Sequence, residues 1–163
     1  MTRIAIISDT HIPSRATEIP DWVREQIASA DHVVHAGDFD SEPAYESVSD
    51  LADDLTAVKG NMDPVSLGLP DVATLSVDGV DFVVTHGSGP IHGYEERVAA
   101  IVEDENPDAI GIAGHTHQVM NREIDGVRIL NPGSATGASP AKTVSLIVAE
   151  VEDGDVNVTI HEA

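Results

Sequence analysis

The chain has 163 residues and a formal net charge of −21, from 29 acidic and 8 basic residues, and it contains no cysteine. This length is typical of one domain, and the absence of cysteine excludes disulfides and thiolate metal sites. The scarcity of Lys and Arg argues against a broad nucleic-acid groove, and no apolar run approaches the ~18 residues of a membrane span. The N-terminus lacks the apolar block of a signal peptide. We therefore expect one cytoplasmic domain over residues 1–163, bound to neither membrane nor nucleic acid.

The acidic excess predicts adaptation to high salt. Only two of the basic residues are lysines, Lys59 and Lys142. At about 1 M salt the Debye length is only about 3 Å, so repulsion among surface carboxylates is screened. An ordinary acidic protein is the alternative interpretation. We expect a halophilic protein that loses structure on transfer to low salt.

Up to residue 113 the pattern alternates between strands and helices. Short apolar runs predict buried strands at residues 4–7, 32–36, 55–59 and 108–113. Apolar residues at helical spacing, with Pro20 placed in a first turn, predict helices at residues 18–30, 43–51 and 94–103.

Three Asp-Gly pairs predict hairpin turns: Asp78-Gly79, Asp125-Gly126 and Asp153-Gly154. The strands that flank them are expected at residues 71–77 and 80–85, 118–123 and 127–130, and 143–151 and 155–161. Helices outside and two mixed sheets packed face to face, an α/β sandwich, would account for this order.

Metal-ligating side chains recur at the ends of five predicted strands. They are Asp9 and His11, Asp38, Asn61, His86, and His115 and His117. In open α/β sheets, ligands bind at the carboxyl ends of strands. Four imidazoles, two carboxylates and one amide oxygen suit Mn, Fe, Co, Ni or Zn better than Mg or Ca. The sequence therefore predicts a transition-metal centre.

Each of these residues alone also has a structural interpretation. A strand-end Asp often caps a helix or turn, and Asn61 after Gly60 suits a left-handed turn. A lone His86 would more often be structural than a ligand. Seven potential ligands at five strand ends favour the metal site. His115 and His117 lie two residues apart, so each could serve one of two ions about 3.5–4 Å apart.

Five blocks resemble, in content and order, the signature of the calcineurin-like metallophosphoesterases: Asp9-x-His11, Gly37-Asp38, Gly60-Asn61, His86-Gly87 and Gly114-His115-x-His117. The short chain, the Gly60-Asn61-Met62-Asp63 block and the Asn131-Pro132-Gly133-Ser134 block resemble the small single-domain phosphodiesterase branch. That branch shares its fold with the scaffold subunit of the retromer coat. The resemblance implies a four-layer α/β/β/α sandwich.

The resemblance also implies a binuclear centre. Asp9, His11 and His117 would hold the first ion, Asn61, His86 and His115 the second, and Asp38 would bridge both. Manganese is the expected ion, with Fe, Ni, Co or Zn as alternatives. A metal-activated hydroxide would attack phosphorus in line, so that Asp38, Asn61 and His86 act in catalysis as metal ligands. The expected substrate is a small phosphodiester or phosphomonoester, and the chain is expected to form a homodimer.

Two positions depart from the family pattern. Larger members carry a histidine that is thought to protonate the leaving group where this chain has Met62. His35 or His92 could replace it, although each has a structural interpretation, and His32 and His161 are expected at the surface. Members of the small branch often carry an arginine after the Asn131 loop, where only Lys142 follows.

Two other functions are alternatives to the phosphodiesterase. A scaffold or binding module that keeps the fold and the metal site but has no turnover is the alternative, with the retromer subunit as its precedent. A metallo-β-lactamase-like hydrolase would need a His-x-His-x-Asp-His run, which this chain lacks.

Overall fold

The computed structural model describes all residues from Met1 to Ala163. The strands are β1 Thr2–Ile7, β2 His32–His35, β3 Leu55–Ala57, β4 Val72–Val77, β5 Val80–Thr85, β6 Ile110–Ile112, β7 Val119–Ile124, β8 Val127–Pro132, β9 Ser145–Glu152 and β10 Asp155–Glu162. The helices are α1 Asp21–Ser29, α2 Glu42–Leu51 and α3 Tyr94–Glu105, with a short 3-10 helix at Val65–Leu67. None of these helices is long and apolar enough to cross a membrane.

The strands form two five-stranded sheets, in the orders β10-β9-β1-β2-β3 and β4-β5-β6-β8-β7. In the first sheet, β1, β2 and β3 are parallel, and β9 joins β1 in antiparallel fashion. In the second sheet, β5, β6 and β8 are parallel, whereas β4 and β7 pair antiparallel with their hairpin partners. Both sheets are therefore mixed, as the sequence predicted.

The alternation of side chains along β1 shows how the layers form. Ile4 and Ile6 point into a core between the two sheets, where Phe82 of β5 also packs. Ala5 and Ile7 point the other way, into a second core with α1 and α2. A third core lies between α3 and the outer face of the second sheet. Because β1 is covered on both faces, its sequence is an unbroken apolar run, and the expected four-layer α/β/β/α sandwich is confirmed.

Several predicted boundaries were wrong. Helix α1 begins at Asp21 rather than at residue 18, and Pro20 is its N-cap. A residue before proline is sterically excluded from helical backbone, which keeps Ile19 outside the helix. Strands β3 and β6 are shorter than predicted, and the 3-10 helix was not predicted. His32 is buried rather than exposed, because its ring packs at the sheet and bonds Thr56 Oγ1 at 2.8 Å.

The loops that follow β1, β2, β5 and β6 meet at one end of the sandwich. Backbone hydrogen bonds join them: the Asp9 N–H donates to Gly37 O at 3.0 Å, and the Gly114 N–H donates to His86 O at 3.2 Å. The first bond joins two loops of one sheet, and the second joins two loops of the other. Polar side chains on these loops are therefore held close together.

Candidate metal centre

The structure brings all seven predicted ligands to this end of the sandwich. Two groups within this set have ligand atoms within 4.8 Å of one another: Asp9, His11 and His117, and Asp38, His86 and His115. A third group joins Asp38 to two acidic residues outside the set, Asp40 and Asp63. Asn61 joins the second group, because its Oδ1 lies 3.0 Å from His86 Nε2 and 3.2 Å from His115 Nδ1.

The first group combines ligands from both sheets. His11 Nε2 lies 3.1 Å from His117 Nε2 and 3.6 Å from Asp9 Oδ1. His117 Nε2 lies 3.3 Å from the same carboxylate oxygen. All three side chains are buried. Two imidazoles and one carboxylate thus converge on one point, although β1 and β6 belong to different sheets.

Asp38 lies between the two groups. Its Oδ2 is 3.1 Å from His86 Nε2 in the second group and 3.4 Å from His11 Nε2 in the first. Its Oδ1 accepts the backbone N–H of Met62 at 2.8 Å. One oxygen is therefore held by the protein, and the other faces both groups.

Each of the four imidazoles has one nitrogen bonded to an oxygen outside the ligand groups. The contacts are His86 Nδ1 with Ala36 O at 2.7 Å, His117 Nδ1 with Ala138 O at 2.8 Å, His115 Nε2 with Gly89 O at 2.8 Å, and His11 Nδ1 with Asp40 Oδ1 at 2.8 Å. A carbonyl oxygen can only accept, so in the neutral ring the bonded nitrogen carries the hydrogen and the inward nitrogen keeps its lone pair. This arrangement is typical of metal-binding histidines.

Five of the seven ligands have left-handed backbone. The φ angles are +53° at Asp9, +46° at His11, +67° at Asp38, +75° at His115 and +61° at His117. Such a conformation costs a residue other than glycine about 1–3 kcal/mol and is concentrated at functional sites. At His115 and His117 this conformation turns the chain, so that one ring points into each group.

Two glycines, Gly60 and Gly114, are required because neighbouring atoms leave no space for a Cβ, and not because of their backbone angles. A Cβ at Gly114 would overlap Ser8 Oγ and would lie 2.7 Å from Asp9 Oδ2. A Cβ at Gly60 would overlap both the backbone nitrogen and Oδ1 of Asp38. The glycines that precede Asn61 and His115 therefore leave room for the two carboxylates.

The carboxylates and imidazoles shift one another's pKa. Burial would raise the pKa of Asp9, but the nearby imidazoles of His11, His117 and His86 together outweigh burial and lower it. Burial would likewise lower the pKa of His86, but its hydrogen bond to Asp38 and the nearby carboxylate charges raise it to about 9. The carboxylates therefore favour positive charge between themselves and the imidazoles. A metal cation bound there would supply this charge in place of protons.

One buried atom indicates directly that a cation fits. Asp9 Oδ1 is fully buried and has no hydrogen-bond partner, although the other oxygen of this carboxylate accepts from Ser8 Oγ and from His115 N–H. A buried carboxylate oxygen without a partner is costly. It faces His11 and His117, so the residues present fit a divalent transition metal at this point.

Residues 2–154 match the calcineurin-like phosphoesterase superfamily domain. The chain belongs to this superfamily. A probable metallophosphoesterase from Methanocaldococcus jannaschii is 32% identical over 148 residues, covering 90% of this chain and 76% of that protein. Another from Methanothermobacter thermautotrophicus is 34% identical over 134 residues, covering 82% of this chain and 77% of that protein. These relatives confirm the resemblance to the small metallophosphoesterases.

The fold comparison agrees. The structure of wild-type Vps29 from Entamoeba histolytica complexed with Zn²⁺ is 27% identical to this chain, with a TM-score of 0.79 over 98% of both chains. Family membership and the two ligand groups together support a metal-dependent phosphoesterase with a divalent metal site.

The two candidate proton donors of this calcineurin-like chain lie in different surroundings. His35 is fully buried, its Nδ1 accepts the Gly37 N–H at 3.0 Å, and its Nε2 lies 3.1 Å from Thr10 Oγ1. Its ring also stacks on Phe39 at 3.6 Å. His92 is exposed, in the loop before α3. The structure therefore gives His35 two internal partners and leaves His92 accessible.

The largest groove adjoins the site without containing any of the seven ligands. It has a volume of ≈ 470 Å³ and lies between residues 91–96 and residues 118–122, with Thr116 in its wall. Thr116 separates the two ligands His115 and His117 in sequence. The groove therefore begins beside these two candidate ligands, and His92 lines it.

Two acidic residues that contact the ligands were missed by sequence analysis. Asp40 bonds the outer nitrogen of His11, and the buried Asp63 accepts three backbone N–H groups around Asp38 and Gly60. Asp63 stands in the quoted Gly60-Asn61-Met62-Asp63 block, so its position beside a ligand was a usable signal. Asp40 follows Asp38 by two residues, and this spacing was a weaker sequence signal.

Proposed function

We propose that this chain is a metal-dependent phosphodiesterase with a binuclear centre. Asp9, His11 and His117 would hold one ion, Asn61, His86 and His115 the other, and Asp38 would bridge them. The observation that carries the proposal is the position of Asp38 Oδ2, which lies 3.4 Å from His11 Nε2 in one group and 3.1 Å from His86 Nε2 in the other. A single carboxylate oxygen shared by two ligand groups supports a shared site.

Two divalent ions at these positions would provide a nucleophile from water near neutral pH and would offset the charge of the phosphoryl oxygens. The protein's own contribution is orientation. The outer hydrogen bonds of the four imidazoles fix which nitrogen faces inward, and the Met62 N–H fixes the rotation of the Asp38 carboxylate. Strained, buried loops hold these groups in place before substrate arrives.

The preference for diesters is supported by the residue at position 62. Met62 is 45% exposed beside Asn61, where larger members of the superfamily carry an imidazole. A thioether cannot donate a proton to a departing oxygen. Substrates with good leaving groups, which need no acid, are therefore the best fit, and we propose exposed His92 rather than buried His35 as the residue that assists poorer ones.

We also propose the setting in which the enzyme works. We propose manganese as the ion, since the two carboxylates and the amide oxygen are ligands that Mn²⁺ takes, with Fe, Ni, Co or Zn as alternatives that suit the imidazoles. The net charge of −21 supports a high-salt cytoplasm, since only three of the 29 acidic residues, Asp9, Asp38 and Asp63, are buried. We expect the 163 residues to act as one domain on a small phosphate ester.

The test is hydrolysis of bis-p-nitrophenyl phosphate by the purified chain at high salt with Mn²⁺ added. Asp38→Ala should reduce kcat/KM by at least about 100-fold, because losing a bridging ligand should exceed the roughly 10–100-fold effect of an outer partner. The matched control is Asp81→Asn, which removes an exposed carboxylate bonded to Ser76 and Asn106. Equal, negligible turnover of wild type and Asp38→Ala with each of Mn, Fe, Co, Ni and Zn would reject the proposal.

A binding module without turnover is the second candidate function. The likeness to Vps29 over 98% of the chain favours it. The same assay separates the two functions, because a binding module would take up metal yet show no turnover that depends on Asp38.

A further inference from the structure

The block Asn131-Pro132-Gly133-Ser134 has no part in the proposed chemistry, yet it is buried beside the ligands. It begins the segment 131–138, which leaves the end of β8. None of the seven ligands lies in this segment. Its hydrogen bonds nevertheless reach the loops that carry four of them.

Asn131 holds the loop of His115. Its amide nitrogen lies 3.1 Å from Gly114 O and 3.0 Å from Thr116 Oγ1, on either side of that ligand. Its side-chain oxygen Oδ1 accepts the Gly133 N–H at 2.9 Å. The hydroxyl of Tyr94 also donates to Gly114 O. The backbone around His115 is thus fixed from β8 and from α3.

Ser134 and its neighbours hold the loop of Asp9 and His11. Ser134 Oγ donates to Asp9 O at 2.7 Å, and Thr136 Oγ1 donates to Thr10 O at 2.7 Å. The Ala135 N–H donates to Ser8 O at 3.1 Å. Three consecutive carbonyls of this loop are therefore bound by one short segment.

The same segment also orients His117. The Nδ1–H of that ring donates to Ala138 O at 2.8 Å. Ala138 is itself held, because its N–H donates to Ser134 Oγ at 2.8 Å. One hydroxyl therefore links the backbone of Asp9 to the acceptor that sets the orientation of His117.

This linkage matters because the first ion's ligands come from different sheets. Asp9 and His11 follow β1 of one sheet, whereas His117 follows β6 of the other. Their mutual distance is not set by pairing within either sheet. A displacement of about 1 Å can cost an active site about 100-fold.

We propose that the segment 131–138 is a positioning element that sets the spacing between the Asp9–His11 loop and the His115–His117 loop, with Ser134 as its central residue. The inference rests on the proposed metal-dependent function. It assigns Ser134 and Asn131 no contact with metal or substrate. They act through the backbone of Asp9, the loop of His115 and the ring of His117.

The test is titration of the metal-free full chain with Co²⁺ at high salt, followed by calorimetry and by the visible absorption of the bound ion. Ser134→Ala should weaken binding of the ion held by Asp9, His11 and His117, here called the first step, by about 10–100-fold, as loss of an outer partner does. It should also alter the cobalt spectrum. The matched control is Ser76→Ala, which removes an exposed hydroxyl bonded to Asp81. It should leave affinity and spectrum unchanged.

Thr136→Val keeps the shape of a half-buried side chain and removes the bond to Thr10 O together with a longer contact, at 3.4 Å, with Ser134 Oγ. It serves if Ser134→Ala does not fold. It should show a smaller loss of first-step affinity with the same spectral change. Wild-type affinity and spectrum in a folded Ser134→Ala, or in Thr136→Val if only that variant folds, would overturn the inference alone. A wild-type chain that binds no Co²⁺ would overturn the proposed function and this inference with it.

Discussion

The carboxylate of Asp63 accepts the backbone N–H of Asp38 at 2.9 Å. The same oxygen accepts the Gly60 N–H at 2.8 Å, and the other oxygen accepts the Asp40 N–H at 2.9 Å. Asp63 therefore ties the loop after β2 to the loop after β3. These loops carry the ligands Asp38 and Asn61, so one buried side chain sets their relative position.

Replacement of Asp63 by Asn should weaken binding of the second ion. An amide can accept at one oxygen only, so at least one of the three backbone N–H groups loses its acceptor, at a cost of about 1–3 kcal/mol. We expect the second step of Mn²⁺ binding to weaken by about 10–100-fold. Calorimetric titration of Asp63→Asn against Asp81→Asn measures it, and equal second-step affinities would contradict the expectation.

The stability of the metal-free chain should fall in mild acid because of His35. Burial lowers the pKa of His35 to about 3, whereas an unfolded histidine has a pKa of about 6.5. Between these values the unfolded chain binds a proton that the folded chain excludes. The contribution of neutral His35 to the free energy of unfolding is therefore complete above about pH 6.5. As the pH falls below that value, the contribution is lost at about 1.4 kcal/mol per pH unit.

Urea unfolding at pH 7, 6 and 5, in high salt with EDTA, measures this contribution by comparison with His35→Gln. An amide side chain can bond both Thr10 and Gly37 without titrating. Below about pH 6 the wild type should lose about 1.4 kcal/mol per pH unit more than the variant. His161→Gln, at a half-buried position on β10, should follow the wild type. Parallel curves for wild type and His35→Gln would show that His35 is protonated in the fold.

Replacement of His92 should affect only esters with poor leaving groups. General acid catalysis contributes about 100-fold or more where the leaving oxygen needs a proton, and p-nitrophenolate does not need one. We expect His92→Gln to lower kcat for phenyl esters by at least about 10-fold and to leave p-nitrophenyl esters unchanged. An equal loss on both substrates would mean that His92 binds substrate or supports its loop instead.

Low salt should destabilise the chain. Almost all of the 29 acidic residues lie at the surface, against 8 basic ones, and the Debye length grows from about 3 Å at 1 M salt to about 10 Å at 0.1 M. A loss of about 3 kcal/mol would lower Tm by roughly 6–12 °C in a chain of this size. Circular dichroism melts in 3 M and 0.1 M KCl measure it. A single transition would also support one domain, and an unchanged Tm would reject adaptation to salt.

The sequence predicted the layers and the polar strand ends that cluster in the structure for one physical reason. Strands buried on both faces are unbroken apolar runs, so the polar residue that ends each run is conspicuous. Asp9 after Ile7 and Asp38 after Ala36 are examples. Parallel strands of one sheet end at the same edge, which brings such residues together within each sheet without any knowledge of the loops.

The contacts that hold the ligands could not be predicted in this way. Asp63 and Ser134 bond backbone groups of other segments, and Ser134 lies 125 residues from its partner Asp9. A backbone N–H or carbonyl group has no sequence signature, so the sequence does not show which backbone groups these side chains bond. The left-handed backbone at His115 and His117 was missed for a related reason, because the packing of the loops imposes it.

The proposed binuclear centre is tested most directly by anomalous diffraction at the manganese edge, from crystals grown at high salt with Mn²⁺. We predict two peaks, one among Asp9, His11 and His117 and one among Asn61, His86 and His115, both in contact with Asp38. No peak in this pocket, or ions bound only by surface carboxylates, would contradict it.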